Sequence, residues 1–268
     1  MENLKELYKW FDKNRDTIID NNINEWIKRL PIAHRGLHNI EFPENSIGAF
    51  LNAKNNGFAI ELDVQLSCDN NIVVFHDEDT FRMTQETGNI KELNISQIKK
   101  RKLLNTNFEI PTLKEVFEIV GNETPLLIEV KNPGKVGKLE SMVCSEIGNY
   151  KGICAVQSFN PFVLQYFKHK CPNILRGQLS KNYRDENMNI FKKIILENLL
   201  LNKITEPNFV SYRIDDLPKG TVSSLRRKDI PIIGWTITEE NFNYAKKYCD
   251  NIIFEKLTGN VFDFYNNN

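Results

Sequence analysis

The sequence predicts an α/β fold: a closed (β/α)8 TIM barrel with an N-terminal helical extension and a short excursion after its second strand. Three observations predict it. From Pro31 onward, eight short apolar runs alternate with amphipathic or helix-length stretches, the pattern of parallel strands joined by crossover helices. The length of 268 residues suits one barrel, which takes about 250. A hydrophobic content of 41% supplies a sizeable core. The chain divides into an extension, residues 1–30, and a barrel, residues 31–268.

The eight runs sit at 31–35, 59–66, 126–131, 155–159, 174–179, 209–214, 231–237 and 251–255. After the first, Pro43-Glu44-Asn45-Ser46 opens a helix, with Asn45 as its cap and Gly57 beyond its end. A ninth strand-like run, Ile72 to His76, follows the second across a turn of Cys68-Asp69-Asn70-Asn71. A parallel crossover needs a dozen residues or more. This run therefore returns antiparallel, as a hairpin above the second barrel strand. Residues 78–110 carry no strong strand pattern and read as a helix-bearing excursion at the barrel mouth. Asn94 caps a helix through about Arg101. Pro111-Thr112 then starts a helix from Leu113 to Val120, ended by Gly121.

In the extension, Leu4, Leu7, Tyr8 and Phe11 recur at helical spacing, as do Ile23, Trp26, Ile27 and Leu30. Two amphipathic helices follow, broken around 14–22. One reading makes them a cover on the barrel's bottom or outer surface. The other makes them a membrane-surface anchor through Trp10 and Trp26. Interspersed negative charges favour the cover.

Lys plus Arg equals Asp plus Glu, 35 each. No global basic field exists to attract nucleic acid, so anions must be met locally. The first 30 residues are charged throughout and carry neither a signal-type apolar core nor a spanning run. The five cysteines (Cys68, Cys144, Cys154, Cys171, Cys249) are scattered and odd in number. They read as free thiols in a reducing compartment, which makes the cytoplasm the expected location.

The chemistry concentrates in Ala33-His34-Arg35-Gly36, Glu61-Leu62-Asp63 and Phe75-His76-Asp77. Glu61 and Asp63 are i and i+2 on a strand, so both point to one side. Glu129 and Lys131 repeat that spacing on the next barrel strand. Adjacent strands lie ~4.8 Å apart, so three carboxylates can converge on one ion. All-oxygen ligation favours Ca2+ or Mg2+ over zinc. His34 lies at the C-terminal end of the first strand, the catalytic rim of such barrels. Arg35 beside it offers a guanidinium that matches a phosphate's paired oxygens. Gly36 lets the backbone turn sharply. Lys131 stands where it can meet a phosphate's developing charge or pair with Glu129. Trp235, at the same rim, reads equally as a wall for an alcohol or glycerol moiety and as barrel core. His38, in the loop after the first strand, is within reach of substrate. His169 sits late in a helix among lysines. Together these describe a metal-assisted site for cleaving phosphodiesters.

The ordered set of His34-Arg35-Gly36, Pro43-Glu44-Asn45-Ser46, Ala49-Phe50, Ala53, Glu61-Leu62-Asp63-Val64 and His76-Asp77 resembles the glycerophosphodiester phosphodiesterase family. Pro111-Thr112-Leu113, Glu129-Val130-Lys131, Gln157-Ser158-Phe159 and Gly234-Trp235-Thr236 are similar to its later blocks. The resemblance runs from about Pro31 to about Gly259. It implies metal-dependent hydrolysis of glycerophosphodiesters to sn-glycerol 3-phosphate and an alcohol. It implies Glu61, Asp63 and Glu129 as ligands of Ca2+ or Mg2+. It implies His34 and His76 as general acid and base, with either one starting as base. Attack by water, or by the neighbouring glycerol hydroxyl through a cyclic phosphate, is open. Arg35, Lys131 and Trp235 are expected to contact the substrate, and Glu44 to orient a catalytic histidine. The sequence departs from the family at Glu255, where an aspartate is common, at Ser46, where threonine is usual, and in its short excursion. Two other readings compete. A lysophospholipase D or phosphoinositide-type phospholipase would need an apolar entry at the mouth. An inactive binding module would lack a key residue, and none is lacking.

Overall fold

The structure is a computed structural model and describes residues 25–265. Eight strands pair in parallel and close on themselves. They are β1 (Ile32–Ala33), β2 (Ala59–Leu66), β4 (Leu126–Val130), β5 (Cys154–Ser158), β6 (Leu175–Ser180), β7 (Phe209–Arg213), β8 (Ile232–Ile237) and β9 (Asn251–Phe254). Neighbours follow chain order, and β1 seals the ring by pairing with both β2 and β9. The remaining strand, β3 (Ile72–Val74), pairs antiparallel with β2, Val64 opposite Val74 and Leu66 opposite Ile72. The hairpin expected from the short Cys68–Asn71 turn is present, with a strand ending two residues before His76.

Alternation along the strands sorts the interior into levels. The lowest is apolar: Ile32, Ala59, Leu127, Ala155, Leu175, Phe209, Ile233 and Ile253 share one buried cluster. Two residues further along each strand the level turns polar, with Glu61, Glu129, Gln157 and Ser211. Ser211 Oγ donates to Gln157 Oε1 at 2.8 Å. Gly177 belongs to this level because its neighbour leaves no room. A Cβ there would stand 2.0 Å from the Phe209 ring.

Below the barrel lies helix α1 (Glu25–Arg29). Trp26 and Ile27 are 1% exposed, and with Leu30 they join the lowest interior level. Each such aliphatic side chain contributes about 1.5–3 kcal/mol on burial. Asn251 of β9 donates through Nδ2 to the carbonyls of Ile27 (2.9 Å) and Leu30 (2.8 Å). Trp26 is thus a buried plug, with no surface to offer as an anchor. The earlier predicted helix, with Trp10, lies outside the described residues.

Helix α2 (Ile47–Asn55) differs from expectation at its start. Ser46 caps it, its Oγ accepting from Ala49 N at 3.1 Å. Asn45 takes a left-handed φ of 56° and turns inward. Residues 78–110 build a small core of their own, with Met83, Ile90, Ile98 and Leu103 packed on Val73 and Phe75 of the hairpin. They contain helices α3 (Phe81–Thr84) and α4 (Ile95–Lys99); Asn94 and Gln97 close a capping box on α4. Helix α5 (Leu113–Val120) starts at Thr112 and stops at Gly121, as the sequence predicts.

Helices α6 (Lys138–Asn149), α7 (Pro161–Lys170) and α8 (Ile190–Glu197) follow β4, β5 and β6. The reading of five free thiols is corrected here. Cys144 of α6 and Cys171, just past α7, form a disulfide with Cα atoms 6.4 Å apart, within the ordinary reach of such a bond. Cys68, Cys154 and Cys249 are free. Their sequence separation of 27 hid their proximity, and cysteine usage no longer argues for a reducing compartment. Among the described residues no helix is long and apolar enough to cross a membrane.

Candidate active site

The site forms where the polar interior level meets the C-terminal ends of the strands. Glu61 and Asp63 project from β2, and Glu129 from β4 beside them. Asp63 and Glu129 are register partners. Their carboxylate oxygens lie within 4.8 Å of one another, and all three residues are buried. Burial pushes Glu61 well above the usual carboxylate range, aided by the charges of Asp63 and Glu129. Burial also raises Glu129, to about 7, against the pull of Lys131. Asp63 goes the other way. Burial opposes its ionisation, but Lys131, His76, Arg35 and the Asn45 hydrogen bond together hold it at about 2. Three buried carboxylates this close repel one another, and a dication would relieve that repulsion. Their all-oxygen set fits a hard ion such as Ca2+ or Mg2+.

Arg35 follows β1 in a left-handed turn, φ 55°, completed by Gly36 at φ 79°. Gly36 is required there. A Cβ would meet the Ala49 backbone at 2.8 Å. The turn aims Arg35 N at Glu61 Oε2 (2.9 Å) and its guanidinium at Glu44 Oε1 (2.7 Å) and Asp63 Oδ2 (3.5 Å). Lys131 Nζ lies 3.4 Å from Glu129 Oε1 and 3.6 Å from Asp63 Oδ1. Two cations therefore flank the triad, one near each oxygen of Asp63.

Each histidine has a carboxylate behind it. His34 Nδ1 lies 3.2 Å from Glu255 Oε2, and His76 Nδ1 lies 2.6 Å from Asp77 Oδ1. Burial lowers both imidazoles below their usual pKa, His34 against the hydrogen bond to Glu255. Asp77 is held in turn by Arg82 Nε (2.6 Å), and Arg82 also grips Glu44. Gln65 Nε2 donates to the carbonyls of Phe75, His76 and Asp77, which pins the turn that carries His76.

One sequence expectation changes. Glu44 touches no histidine; it bonds Arg35 and Arg82, and reaches His76 only through Arg82 and Asp77. His38 lies with Nε2 3.5 Å from Glu255 Oε2, sharing that carboxylate with His34. Trp235 sits half-buried, edge-on to Phe159 with ring centroids 5.6 Å apart. Its Nε1 is buried without a hydrogen-bond partner.

Sequence reasoning missed four polar partners. Asn45 donates to Asp63 Oδ2 at 2.9 Å and faces Asp63 N with its own carbonyl. Its left-handed φ was the hidden variable, since asparagine favours both caps and such turns. Arg82 and Gln65 carried no signal beyond polarity. Glu255 was visible only as a departure from a family pattern.

Beside the triad opens a cleft of about 1030 Å³, with Gln65, His76, Glu129 and Lys131 on one side. Phe159, Tyr183, Met188, Ile195 and Leu196 make the other side apolar.

A parallel barrel with clustered carboxylates, paired imidazoles and a guanidinium at its C-terminal mouth belongs to the class of barrel phosphodiester hydrolases. The model of the glycerophosphoryl diester phosphodiesterase family matches residues 34–255. The chain belongs to that family, and its enzyme class is glycerophosphodiester phosphodiesterase. It is 37% identical over 169 residues to the glycerophosphodiester phosphodiesterase of Caldanaerobacter subterraneus, covering 57% of this chain and 67% of the relative. The solved glycerophosphodiester phosphodiesterase of Thermotoga maritima superposes with a TM-score of 0.66 at 26% identity, over 84% of this chain and 93% of that one. The Oleispira antarctica phosphodiesterase, solved with its product sn-glycerol-3-phosphate, shares the fold. Its TM-score is 0.71 at 22% identity, over 84% of this chain and 93% of that one.

Proposed function

We propose that this chain hydrolyses small glycerophosphodiesters to sn-glycerol 3-phosphate and an alcohol, with Ca2+ or Mg2+ held by Glu61, Asp63 and Glu129. The observation that carries the reading is the carboxylate triad standing beside two carboxylate-backed imidazoles. A bound divalent ion supplies charge stabilisation for the phosphoryl oxygens. The rest falls to the side chains. Arg35 presents paired donors to the phosphate, fixed by Glu44. Lys131 meets negative charge that grows as the diester reacts. Nδ1 of His34 and of His76 faces a carboxylate, which leaves Nε2 of each for proton exchange. One imidazole takes the proton of the attacking hydroxyl and the other protonates the leaving alcohol oxygen. Trp235, half-buried at the rim, is assigned as the wall against the alcohol or glycerol moiety.

The test is turnover of glycerophosphocholine, read as released sn-glycerol 3-phosphate. Chelator is expected to abolish it, and Ca2+ or Mg2+ to restore it. Full activity in excess chelator would remove the ion from the reading. Inactivity on every glycerophosphodiester, with either ion present, would overturn the reading itself.

A further inference from the structure

The five most exposed large apolar side chains among the described residues are Ile40 (92%), Phe191 (73%), Phe162 (60%), Ile190 (60%) and Phe81 (58%). All five ride on connections that leave the C-terminal ends of barrel strands. Ile40 lies between β1 and α2, Phe81 opens α3 in the excursion after the β2–β3 hairpin, Phe162 opens α7, and Ile190 and Phe191 open α8. Such connections gather on one face of a barrel, the face that holds the site. Scattered exposed apolar residues are ordinary, and Leu200 (52%) and Ile204 (51%) lie away from this face, but the five most exposed all share the functional face.

We propose that the catalytic mouth docks on the surface of a lipid bilayer that carries anionic headgroups. Four separate connections each lift one or two side chains, a ring suited to a soft plane rather than to one groove of a folded partner. Helix α8 has no buried residue at all. It alternates apolar Ile190, Phe191 and Ile194 with Lys192 and Lys193, the composition of a segment that lies in a membrane interface. Arg184 and Lys192 are exposed, and neither makes an ion pair among the described residues. Cations so placed draw anionic headgroups. The apolar wall of the cleft, Met188, Ile195 and Leu196, continues inward from this ring toward His76 and Lys131. The mouth thus faces the bilayer with its site open to it. This inference rests on the exposed ring and not on the assigned substrate.

Sedimentation of the full chain with unilamellar vesicles tests it, using phosphatidylcholine alone or mixed equally with phosphatidylglycerol. Binding is expected on the mixed vesicles, weaker on phosphatidylcholine, and reduced by added salt. The Ile40→Ser, Phe191→Ser double variant is expected to partition at least about tenfold more weakly, with unchanged turnover of soluble glycerophosphocholine. In a second variant, Phe191→Trp, the new indole's emission is expected to shift to the blue when mixed vesicles are added. No binding of the wild-type chain to mixed vesicles would overturn the proposal. Equal binding by the double variant, or no shift in Phe191→Trp, would assign any lipid contact to another surface and overturn it as well.

Discussion

His34 and Glu255 are separated by 221 residues, yet Nδ1 of the one lies 3.2 Å from Oε2 of the other. The contact spans the seam where β1 meets β9, the pairing that closes the barrel. Backbone follows the same seam, His34 N donating to Phe254 O at 2.9 Å. Closure of the fold and orientation of an imidazole are therefore one event.

Glu255→Ala is expected to lower kcat by about 10- to 100-fold, the effect of removing a partner that orients a functional imidazole. KM should change little, because Glu255 touches the histidine and not the substrate. Glu255→Asp should recover part of the loss. Steady-state kinetics on glycerophosphocholine check all three, and an unchanged kcat in Glu255→Ala would show that His34 is held by the backbone alone.

His34→Ala and His76→Ala should each reduce kcat by ~10²–10⁴-fold, the usual contribution of a general acid or base. Circular dichroism should show both folded. A variant that keeps near-normal kcat identifies its histidine as structural.

Arg35→Lys keeps the charge and loses the paired donors. A loss in kcat/KM on the order of 1.5–3 kcal/mol is expected, the range for a charge-assisted hydrogen bond. The anchor on Glu44 makes the geometry strict, since only a fork reaches that carboxylate and a phosphate together. Wild-type kcat/KM would mean that Arg35 serves the internal ion pairs to Glu44 and Asp63.

Gly177→Ala tests the barrel rather than the chemistry. Its Cβ would fall 2.0 Å from the Phe209 ring, so the ring or strand β6 must shift. Overpacking of this kind costs about 1–3 kcal/mol. Denaturant unfolding should show the midpoint fall, and an unchanged midpoint would mean that the Phe209 ring moves freely.

Sequence reading reached the strands, the β2–β3 hairpin and the carboxylate triad because each depends on short-range rules. Alternation put Glu61 and Asp63 on one face, and a turn too short for a crossover forced β3 to reverse. It failed where the decisive contact is remote or depends on one dihedral. Glu255 meets His34 only on closure. Cys144 meets Cys171 only once α6 and α7 pack. Asn45 and Ser46 are both good caps, and the left-handed φ at Asn45 decides which one caps and which holds Asp63.

The plug beneath the barrel has a consequence for traffic. Trp26, Ile27 and Leu30 fill the floor, and Asn251 fastens them there through two backbone carbonyls. Among the described residues, the floor is closed and the site opens toward the C-terminal ends of the strands. Substrate enters, and both halves of the cleaved diester leave, past the same rim of side chains.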